Sequence, residues 1–291
     1  MGGFLYWWQH LPDRMDPILF NLGPLRVQWY GLMYIIAFLI TYLLARRRCR
    51  LEERFKQYDD EYLKNLLTYG FIGVLAGGRL GYVLFYNLPY YLGHPWEIIL
   101  PFGFTGGFHF TGISGMSYHG GMLGAMAGSY VFSRRYRADF WNLCDLFFPI
   151  APLGYTCGRL GNFINGELWG RVTSAPIGMY FPLAPNVAAL RHPSQLYEAF
   201  FEGVFLFVAF LFLRKLRLPK GSMAAAYLFG YGFVRFFIEF FREPDRQLGF
   251  VLMHRFSRGQ ELCGLMMLGA VGLFLYLSMR RPPVPRSVQA D

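Results

Sequence analysis

The sequence predicts an all-α integral membrane protein with seven membrane-spanning helices, and three observations support that class. Apolar residues make up 54% of the 291-residue chain and charged residues 16%, against about 25% charged residues in a typical soluble domain. The apolar residues form runs as long as a membrane span, and the basic residues cluster between those runs. A soluble domain of this composition would expose extended apolar surface and aggregate, so the composition disfavours a soluble enzyme, a disordered chain and a nucleic-acid-binding module.

A membrane-spanning helix needs about 20 consecutive, mostly apolar residues. The first such run is followed by a cluster of arginines, and later basic clusters separate pairs of runs. This arrangement predicts seven spans, in chain order at roughly 25–45, 65–86, 117–133, 140–157, 196–213, 222–241 and 260–279.

The formal net charge of +10 is explained by topology rather than by a nucleic-acid partner. Basic residues beside membrane helices are retained on the cytoplasmic side. One span before the first basic cluster, and a pair of spans between successive clusters, leave the N-terminus outside and the C-terminus in the cytoplasm. The predicted cytoplasmic segments hold 17 of the 28 lysine and arginine residues, in 46–64, 134–137, 214–220 and 280–291.

The spans leave four segments on the outer side, at about 1–24, 87–116, 158–195 and 242–259. The stretch 98–110 is too short to span and is interrupted by proline and glycine, which predicts a re-entrant or interfacial segment. We expect residues 1–280 to form a single integral membrane domain. The proline-containing residues 281–291 are expected to be a disordered cytoplasmic tail.

Ionisable side chains inside membrane helices are energetically costly, which makes each of them a candidate for function. With the predicted topology, several polar residues converge on the outer half of the membrane: Tyr30, Arg79, His119, Arg159, Glu198 and Arg235. The three arginines have few obvious partners in the sequence. Guanidinium groups bind phosphate bidentately and stay charged at any relevant pH. The convergence therefore predicts a site for an anionic ligand, such as a phospholipid head group, that enters from the outer leaflet.

A structural interpretation of the same arginines stays open. They could pair with acidic residues and hold helices together, and the candidate partners are Glu167, Glu198, Glu202 and Glu239. Arg235 and Glu239 are four residues apart, a spacing that allows an ion pair on one helix face. The convergence of the whole set on one leaflet favours the functional interpretation.

The sixth predicted span carries a polar stripe at four-residue steps: Tyr227, Tyr231, Arg235 and Glu239. Such steps drift by only about 40° around a helix, so the four side chains share a face. A polar face in contact with lipid would be costly, and we expect it to face the bundle interior or a wet cavity. Arg242 follows the stripe near the outer end of the span.

Two further patterns are expected to serve structure. The glycine-rich GVLAGGRLG at 73–81 could be a nucleotide-binding loop, but it lies in a predicted membrane helix, where small residues allow helices to approach closely. The four cysteines stand far apart, without a CxxC pair or a histidine at ligand spacing. This spacing argues against a zinc or redox site.

Several motifs, ordered along the chain, resemble those of bacterial prolipoprotein diacylglyceryl transferases. The longest are GRLGNFINGE at 158–167 and GYGFVRFFIEFFREPD at 230–245. Shorter motifs fit the same family: QWYGLMY at 28–34, GGRLGYVLFYN at 77–87, MSYHGG at 116–121 and RHPSQLYE at 191–198. The resemblance extends from about residue 16 to residue 280.

The resemblance implies a defined reaction, the first step of lipoprotein maturation. Enzymes of this family transfer the diacylglyceryl group from phosphatidylglycerol to the thiol of the lipobox cysteine in a preprolipoprotein signal peptide. A thioether forms and glycerol phosphate leaves. The resemblance also implies a multi-pass protein of the bacterial inner membrane, with its active site toward the periplasm and with no metal and no cofactor. The implied partners are phosphatidylglycerol, the signal peptide and the lipid bilayer, with no nucleic acid.

Motif positions carry the family's site onto this chain. The resemblance implies catalytic roles for His119, Arg159 and Arg235. It implies substrate-binding roles for Arg159 and for Tyr30, Asn162, Glu167, Tyr231, Glu239 and Arg242, and the position of Arg79 in the outer half adds this arginine to the set. His119 is either the general base for the thiol or a structural residue, because nearby arginines could lower the thiol pKa without a base.

A membrane protein that binds or moves lipid without chemistry is the alternative function. Such a protein would also place arginines near a head group, but it would need a path to both leaflets. The inner halves of the predicted spans offer almost no buried charge, which disfavours this alternative.

Overall fold

The structure is a computed structural model that describes residues 2–23, 25–100, 102–103, 109–110, 115–243, 250–252 and 256–280. Helices dominate these ranges. The chain divides into two compact units, one comprising Met1–Ala45 with Cys144–Asp291 and the other Arg46–Leu143. The predicted tail 281–291 lies outside the described residues.

A short helix and a β-hairpin precede the first long helix. These elements are α1 (Gly2–Gln9), the antiparallel strands β1 (Ile18–Leu22) and β2 (Leu25–Gln28), and α2 (Trp29–Leu51). The predicted first span, 25–45, is therefore displaced, since its first four residues form a strand and the helix continues through the basic residues 46–50. Positive charge is favourable at the C-terminal end of a helix, which explains why the helix includes this cluster.

The unit Arg46–Leu143 consists mainly of two long helices and the segment between them. Its elements after α2 are α3 (Asp60–Tyr86), α4 (Leu88–Gly93), the paired strands β3 (Phe102–Gly103) and β4 (His109–Phe110), and α5 (Tyr118–Arg135). Side chains cap both long helices, because Asp59 accepts a hydrogen bond from the Tyr62 amide at 2.7 Å and Ser117 accepts one from the Gly120 amide at 3.2 Å. The predicted interfacial stretch 98–110 contains the hairpin, and its residues 101 and 104–108 lie outside the described part.

α3 and α5 pack antiparallel through a line of glycines, which we call the glycine seam: Gly73, Gly77, Gly120 and Gly124. A Cβ atom placed on any of these glycines would overlap backbone atoms of the facing helix. Small residues permit such close approach between membrane helices. The prediction that the glycines of 73–81 serve helix packing is confirmed.

The predicted span 140–157 is wrong as a single helix. The structure has α6 (Phe140–Phe147) and α7 (Ala151–Ile164), separated at 148–150. Pro149 and Pro152 explain the break, because proline lacks the backbone N–H and clashes with the preceding turn, whereas it is tolerated in the first turn of a helix. α7 also continues beyond the predicted end, and Arg159 consequently lies inside a helix instead of after one.

Three consecutive helical stretches follow the next loop. They are α8 (Ser194–Tyr197), a π-helix (Glu198–Phe205) and α9 (Leu206–Leu213), and together they match the predicted span 196–213. The remaining elements are α10 (Ser222–Ile238), the paired strands β5 (Phe250–Leu252) and β6 (Phe256–Ser257), and α11 (Arg258–Met279).

The loop between α7 and α8 has its own apolar core. Phe163, Met179, Phe181 and Ala184 are buried in it, and Trp8 from α1 packs against them. Trp8 also donates a hydrogen bond from its indole nitrogen to the carbonyl of Ile177 at 3.0 Å. This core gives the loop a fixed shape next to the C-terminal end of α7.

Four helices in the described part of the chain are long and apolar enough to cross a membrane: Trp29–Leu51, Asp60–Tyr86, Ser194–Leu213 and Gly259–Met279. Ser222–Ile238 is a shorter apolar helix. The all-α prediction needs one correction, because the described part of the chain contains three two-stranded hairpins in the segments that connect the helices. Each hairpin pairs backbone groups locally over two to five residues, too short a stretch for a period-two sequence pattern to reveal.

Candidate active site

One face of α7 carries three polar side chains of the predicted site region. Tyr155, Arg159 and Asn162 lie at positions i, i+4 and i+7, which brings them to the same side of the helix. The Arg159 guanidinium donates from Nε to the Tyr155 hydroxyl at 2.6 Å and from Nη1 to Oδ1 of Asn162 at 3.3 Å. It also lies over the Tyr155 ring, 4.7 Å from the centroid. Contacts with other residues of α7 therefore hold the Arg159 guanidinium in place.

Two arginines and three glutamates form a buried ionic network, which we call the arginine–glutamate cluster: Arg159, Arg235, Glu198, Glu202 and Glu239. Nε of Arg159 lies 2.8 Å from Oε2 of Glu198. Nη1 of Arg235 lies 3.0 Å from Oε1 of Glu198 and 3.4 Å from Oε1 of Glu202, and its Nη2 lies 3.1 Å from Oε2 of Glu239. All three carboxylates are buried. The Tyr155 hydroxyl joins the network by donating to Glu202.

The expectation that the arginines have few partners is wrong for Arg159 and Arg235. Both pair with glutamates that the sequence offered as the structural alternative, and the i, i+4 pair of Arg235 and Glu239 is present. A buried ion pair adds little net stability, because desolvation of the charges offsets most of their attraction. Helix association alone is therefore a weak reason for a five-residue ionic network, and a chemical role is the stronger one.

The two arginines differ in the donors that they have left for a ligand. Carboxylates contact both terminal nitrogens of Arg235. Nη2 of Arg159 donates to none of the residues that the structure describes, and 13% of this side chain is exposed. Arg159 therefore has a terminal guanidinium nitrogen that can donate to an anionic group.

Asn162 extends the cluster toward Glu167. Its side-chain amide donates to Oε1 of Glu167 at 2.8 Å, while its Oδ1 accepts from Arg159. Asn165 donates to the same carboxylate oxygen at 3.4 Å. Polar contacts therefore run without interruption from Arg159 to Glu167.

The backbone turn around Glu167 is strained and held from outside. Gly166 and Leu168 both have positive φ values, +65° and +60°, a region that non-glycine residues rarely occupy. The side chains of Gln195 and Ser194 donate to the carbonyls of Glu167 and Leu168, at 2.6 Å and 2.9 Å. The start of α8 therefore holds the backbone of the turn that carries Glu167.

The two predicted tyrosines lie beside α7. Tyr30, in the first turn of α2, packs so closely on Gly161 that a Cβ there would lie 2.9 Å from its ring, and its hydroxyl is 3.0 Å from that of Tyr34. Tyr231 on α10 meets the Tyr155 ring edge-on, with centroids 5.8 Å apart. Both predicted tyrosines therefore contact the helix that carries Arg159.

The C-terminal end of α10, where Glu239 and Arg242 lie, is fixed by two other segments. Arg171 donates to the carbonyls of Arg242 at 2.9 Å and Glu239 at 3.3 Å, which satisfies helix-end acceptors and places a cation at the negative end of the dipole. Ser257, the N-cap of α11, donates to Oε1 of Glu239 at 3.1 Å.

Arg79 belongs to the unit Arg46–Leu143, where it binds backbone. Its guanidinium donates to the carbonyls of Ile98 at 2.9 Å, Gly115 at 3.4 Å and Glu97, and it lies over the Tyr91 ring. These contacts anchor the segment between α3 and α5. The substrate-binding role of Arg79 stays a prediction.

His119 lies in the first turn of α5, two residues after the capping Ser117. Its side chain is outside the described part of the structure. Both interpretations of His119, as general base and as structural residue, stay predictions.

Sequence reasoning did not single out Tyr155 or Gln195. It placed Glu198 in the outer-half set, and it considered Glu202 only as a possible ion-pair partner of the arginines. The available signal was their spacing, since Tyr155–Arg159 and Glu198–Glu202 are both i, i+4 pairs within apolar runs. Every ionisable residue in a membrane helix is a candidate for function. Within the described ranges, no group of three or more histidine, cysteine or acidic residues is arranged to hold a metal ion.

Comparison with known proteins agrees with the motifs. Residues 17–276 match the family model for prolipoprotein diacylglyceryl transferase. A phosphatidylglycerol–prolipoprotein diacylglyceryl transferase of Chlorobaculum tepidum is 51% identical over 281 residues, 96% of each chain. Those of Coxiella burnetii and Bordetella avium are 44% and 43% identical, over 86% and 94% of this chain and 90% and 98% of theirs. The predicted family is confirmed, and the chain belongs to the prolipoprotein diacylglyceryl transferase family.

Proposed function

We propose that this protein transfers the diacylglyceryl group of phosphatidylglycerol to the thiol of the lipobox cysteine in a preprolipoprotein. The observation that carries the proposal is the arginine–glutamate cluster, in which Arg159 and Arg235 lie on two of the motifs of this family and share one carboxylate. Family membership supplies the reaction, and the cluster supplies the cationic groups that the reaction requires.

The reaction is an alkyl transfer. The cysteine sulfur attacks the carbon of the glyceryl group that carries the phosphate, so that a C–S bond forms while the C–O bond to phosphate breaks. Glycerol phosphate leaves with the bonding electron pair, and negative charge grows on its oxygen. Preorganised guanidinium donors in a site that excludes water stabilise such charge strongly. Arg159, with Nη2 available, meets the phosphate, and Arg235 adds positive charge beside it.

The other substrate-binding assignments follow the polar chain from the cluster. Asn162 and Glu167 contact the lipid head group, since they continue directly from Arg159. Tyr30 and Tyr231 flank α7, and Glu239 and Arg242 lie at the end of α10. We also assign substrate binding to Arg79, solely because the predicted topology places it in the outer half of the membrane.

The thiol proton has two possible acceptors. His119 takes it as general base, because an imidazole with an unperturbed pKa of about 6.5 is half neutral near working pH. Alternatively, a guanidinium group next to the thiol lowers the thiol pKa, and the proton leaves to solvent.

The proposal includes seven spans in the bacterial inner membrane, with the active site on the periplasmic side. The placement of 17 of the 28 basic residues in the predicted cytoplasmic segments supports this orientation. Helical segments at all seven predicted positions, within the described ranges, support the count.

The decisive test is turnover by the purified full chain in phosphatidylglycerol vesicles with a lipobox peptide. We expect a thioether product by mass spectrometry and release of glycerol phosphate in equal amount. A peptide with serine in place of the lipobox cysteine is the matched control and should give no product. Lipid binding or lipid movement without thioether formation would contradict the proposal and favour the non-catalytic alternative.

A further inference from the structure

Glu198 contacts both arginines of the cluster through one carboxylate. Oε2 lies 2.8 Å from Nε of Arg159, and Oε1 lies 3.0 Å from Nη1 of Arg235. Glu198 is completely buried. In the ion pairs that the structure describes, Glu202 and Glu239 each contact Arg235 and not Arg159. The carboxylate of Glu198 therefore bridges α7, which carries Arg159, and α10, which carries Arg235.

The backbone around Glu198 is held firmly against α7. Glu198 opens the π-helix Glu198–Phe205, a conformation that is rare and frequent at functional sites. Gly203 in this segment lies so close to Thr156 of α7 that a Cβ on Gly203 would overlap the threonine side chain. The Thr156 hydroxyl also donates to the carbonyl of Ala199 at 3.2 Å. Glu198 thus reaches the two arginines from a segment that has little freedom to move.

The charge of the cluster argues against a role for Glu198 in attracting substrate. When all groups are ionised, three carboxylates oppose two guanidinium groups, which leaves one surplus negative charge. A phosphate group that approaches the arginines is repelled by these carboxylates. Loss of the Glu198 charge would therefore favour binding of an anionic lipid, and the benefit of this residue must lie in the orientation of its partners.

We infer that Glu198 is a positioning residue, which fixes the distance and orientation of Arg159 and Arg235 for the leaving phosphate. It acts through the two guanidinium groups without touching the substrate. The inference rests on the proposed function, because it assigns to Glu198 the alignment of groups that the transfer reaction uses.

The variant Glu198→Gln separates orientation from binding. The side chain keeps its size but loses its negative charge, and its NH₂ group would replace one of the two oxygens that lie against the guanidinium groups. We expect kcat to fall about 100-fold, the loss that a misplacement of about 1 Å produces. KM for phosphatidylglycerol should stay within about threefold of the original value or fall, since the site has lost a negative charge. The matched control is Glu61→Gln, an exposed position at the start of α3, which should change neither constant.

A second variant keeps the inference testable if Glu198→Gln does not fold. Glu198→Asp keeps the charge but shortens the side chain by one methylene, so that it cannot reach both arginines. We expect at least about a tenfold loss in kcat per folded molecule, with the folded fraction measured by thermal unfolding in detergent. A purely structural role would lower the unfolding temperature and leave kcat per folded molecule unchanged.

Three results would overturn the inference: a kcat within about threefold of the original in the folded variants, a KM that rises as much as kcat falls, or a change in stability alone. A rise in KM would make Glu198 a binding group. Failure of the proposed function is distinguishable, because the unaltered chain would then form no thioether.

Discussion

The glycine seam and the arginine–glutamate cluster hold helices together by opposite means. In the seam, α3 and α5 approach until backbone meets backbone, because no side chain intervenes. In the cluster, long charged side chains bridge α7, the π-helix and α10. Close packing of small residues needs no buried charge, whereas a buried ion pair bears a desolvation cost of several kcal/mol per ion. This chain also uses close packing of small residues, which has no desolvation cost, so helix packing alone does not explain the buried charges of the cluster.

The largest effect is expected from Arg235→Leu. This change leaves Glu202 and Glu239 buried without their arginine, and loss of one partner of a buried pair costs about 3–5 kcal/mol. We expect a large fall in the unfolding temperature in detergent. Arg159→Leu is the matched comparison. It should lower the unfolding temperature less, because Glu198 still has its ion pair with Arg235. Equal unfolding temperatures for the two variants would contradict the described network.

Arg159→Lys should abolish most activity while sparing stability. Lysine keeps the charge but is a point charge that cannot reproduce a guanidinium fork on phosphate. Loss of one preorganised donor to a developing oxyanion lowers kcat by about 100-fold or more. Thioether formation at equal protein level measures this. Near-normal turnover would remove Arg159 from the phosphate-binding role and make the cluster purely structural.

His119→Gln tests whether the seam helix α5 contributes chemistry as well as packing. If His119 is the general base, kcat should fall by about 100-fold or more while phosphatidylglycerol still binds, and the original rate should decline below about pH 6.5. The pH–rate profiles of both proteins are the measurement. Retained activity with an unchanged acid limb would make His119 structural and leave thiolate formation to the arginines.

Gly77→Ala should weaken the glycine seam. The added Cβ would overlap the backbone of Gly120 and Gly124, and overpacking of a well-packed contact costs about 1–3 kcal/mol. Gly70→Ala in the same helix is the matched control, because its Cβ meets nothing within 4 Å. Since alanine is the better helix former, by up to about 1 kcal/mol, this control should be neutral or stabilising. Equal unfolding temperatures would show that the seam contributes nothing.

The smallest effect concerns His192, in the loop between α7 and α8. Burial lowers the pKa of His192 below its usual 6.5. The unfolded chain therefore takes up a proton, as pH falls through about 6.5, that the folded chain does not. Stability should decrease slightly in this range and level off below the folded pKa. Unfolding temperatures between pH 7.5 and 5.5 measure this, and the decrease should be smaller in His192→Gln. The same pH dependence of the unfolding temperature in both proteins would contradict this prediction.

The broad architecture was predictable because its signals are local. Apolar runs and basic clusters located the helical segments, and the glycines of 73–81 indicated close packing. The hairpins and the π-helix were not predictable, since each occupies a few residues without a distinctive period. The break between α6 and α7 had a sequence signal in Pro149 and Pro152, which a hydropathy pattern does not register.

The sequence by itself determined which charged residues lie in apolar segments, and motif order determined the family. The shared face of Tyr155, Arg159 and Asn162 follows from helical periodicity only once α7 is known to continue past the predicted end of its span. Only the tertiary structure decided that Glu198 bridges Arg159 and Arg235. It also decided that Arg79 binds backbone carbonyls, and that Nη2 of Arg159 donates to none of the residues that the structure describes. The physical reason is that an ion pair depends on distances of about 3 Å between side chains on different helices. Those distances are set by how the helices pack, through contacts such as that of Gly203 with Thr156, and not by spacing along the chain.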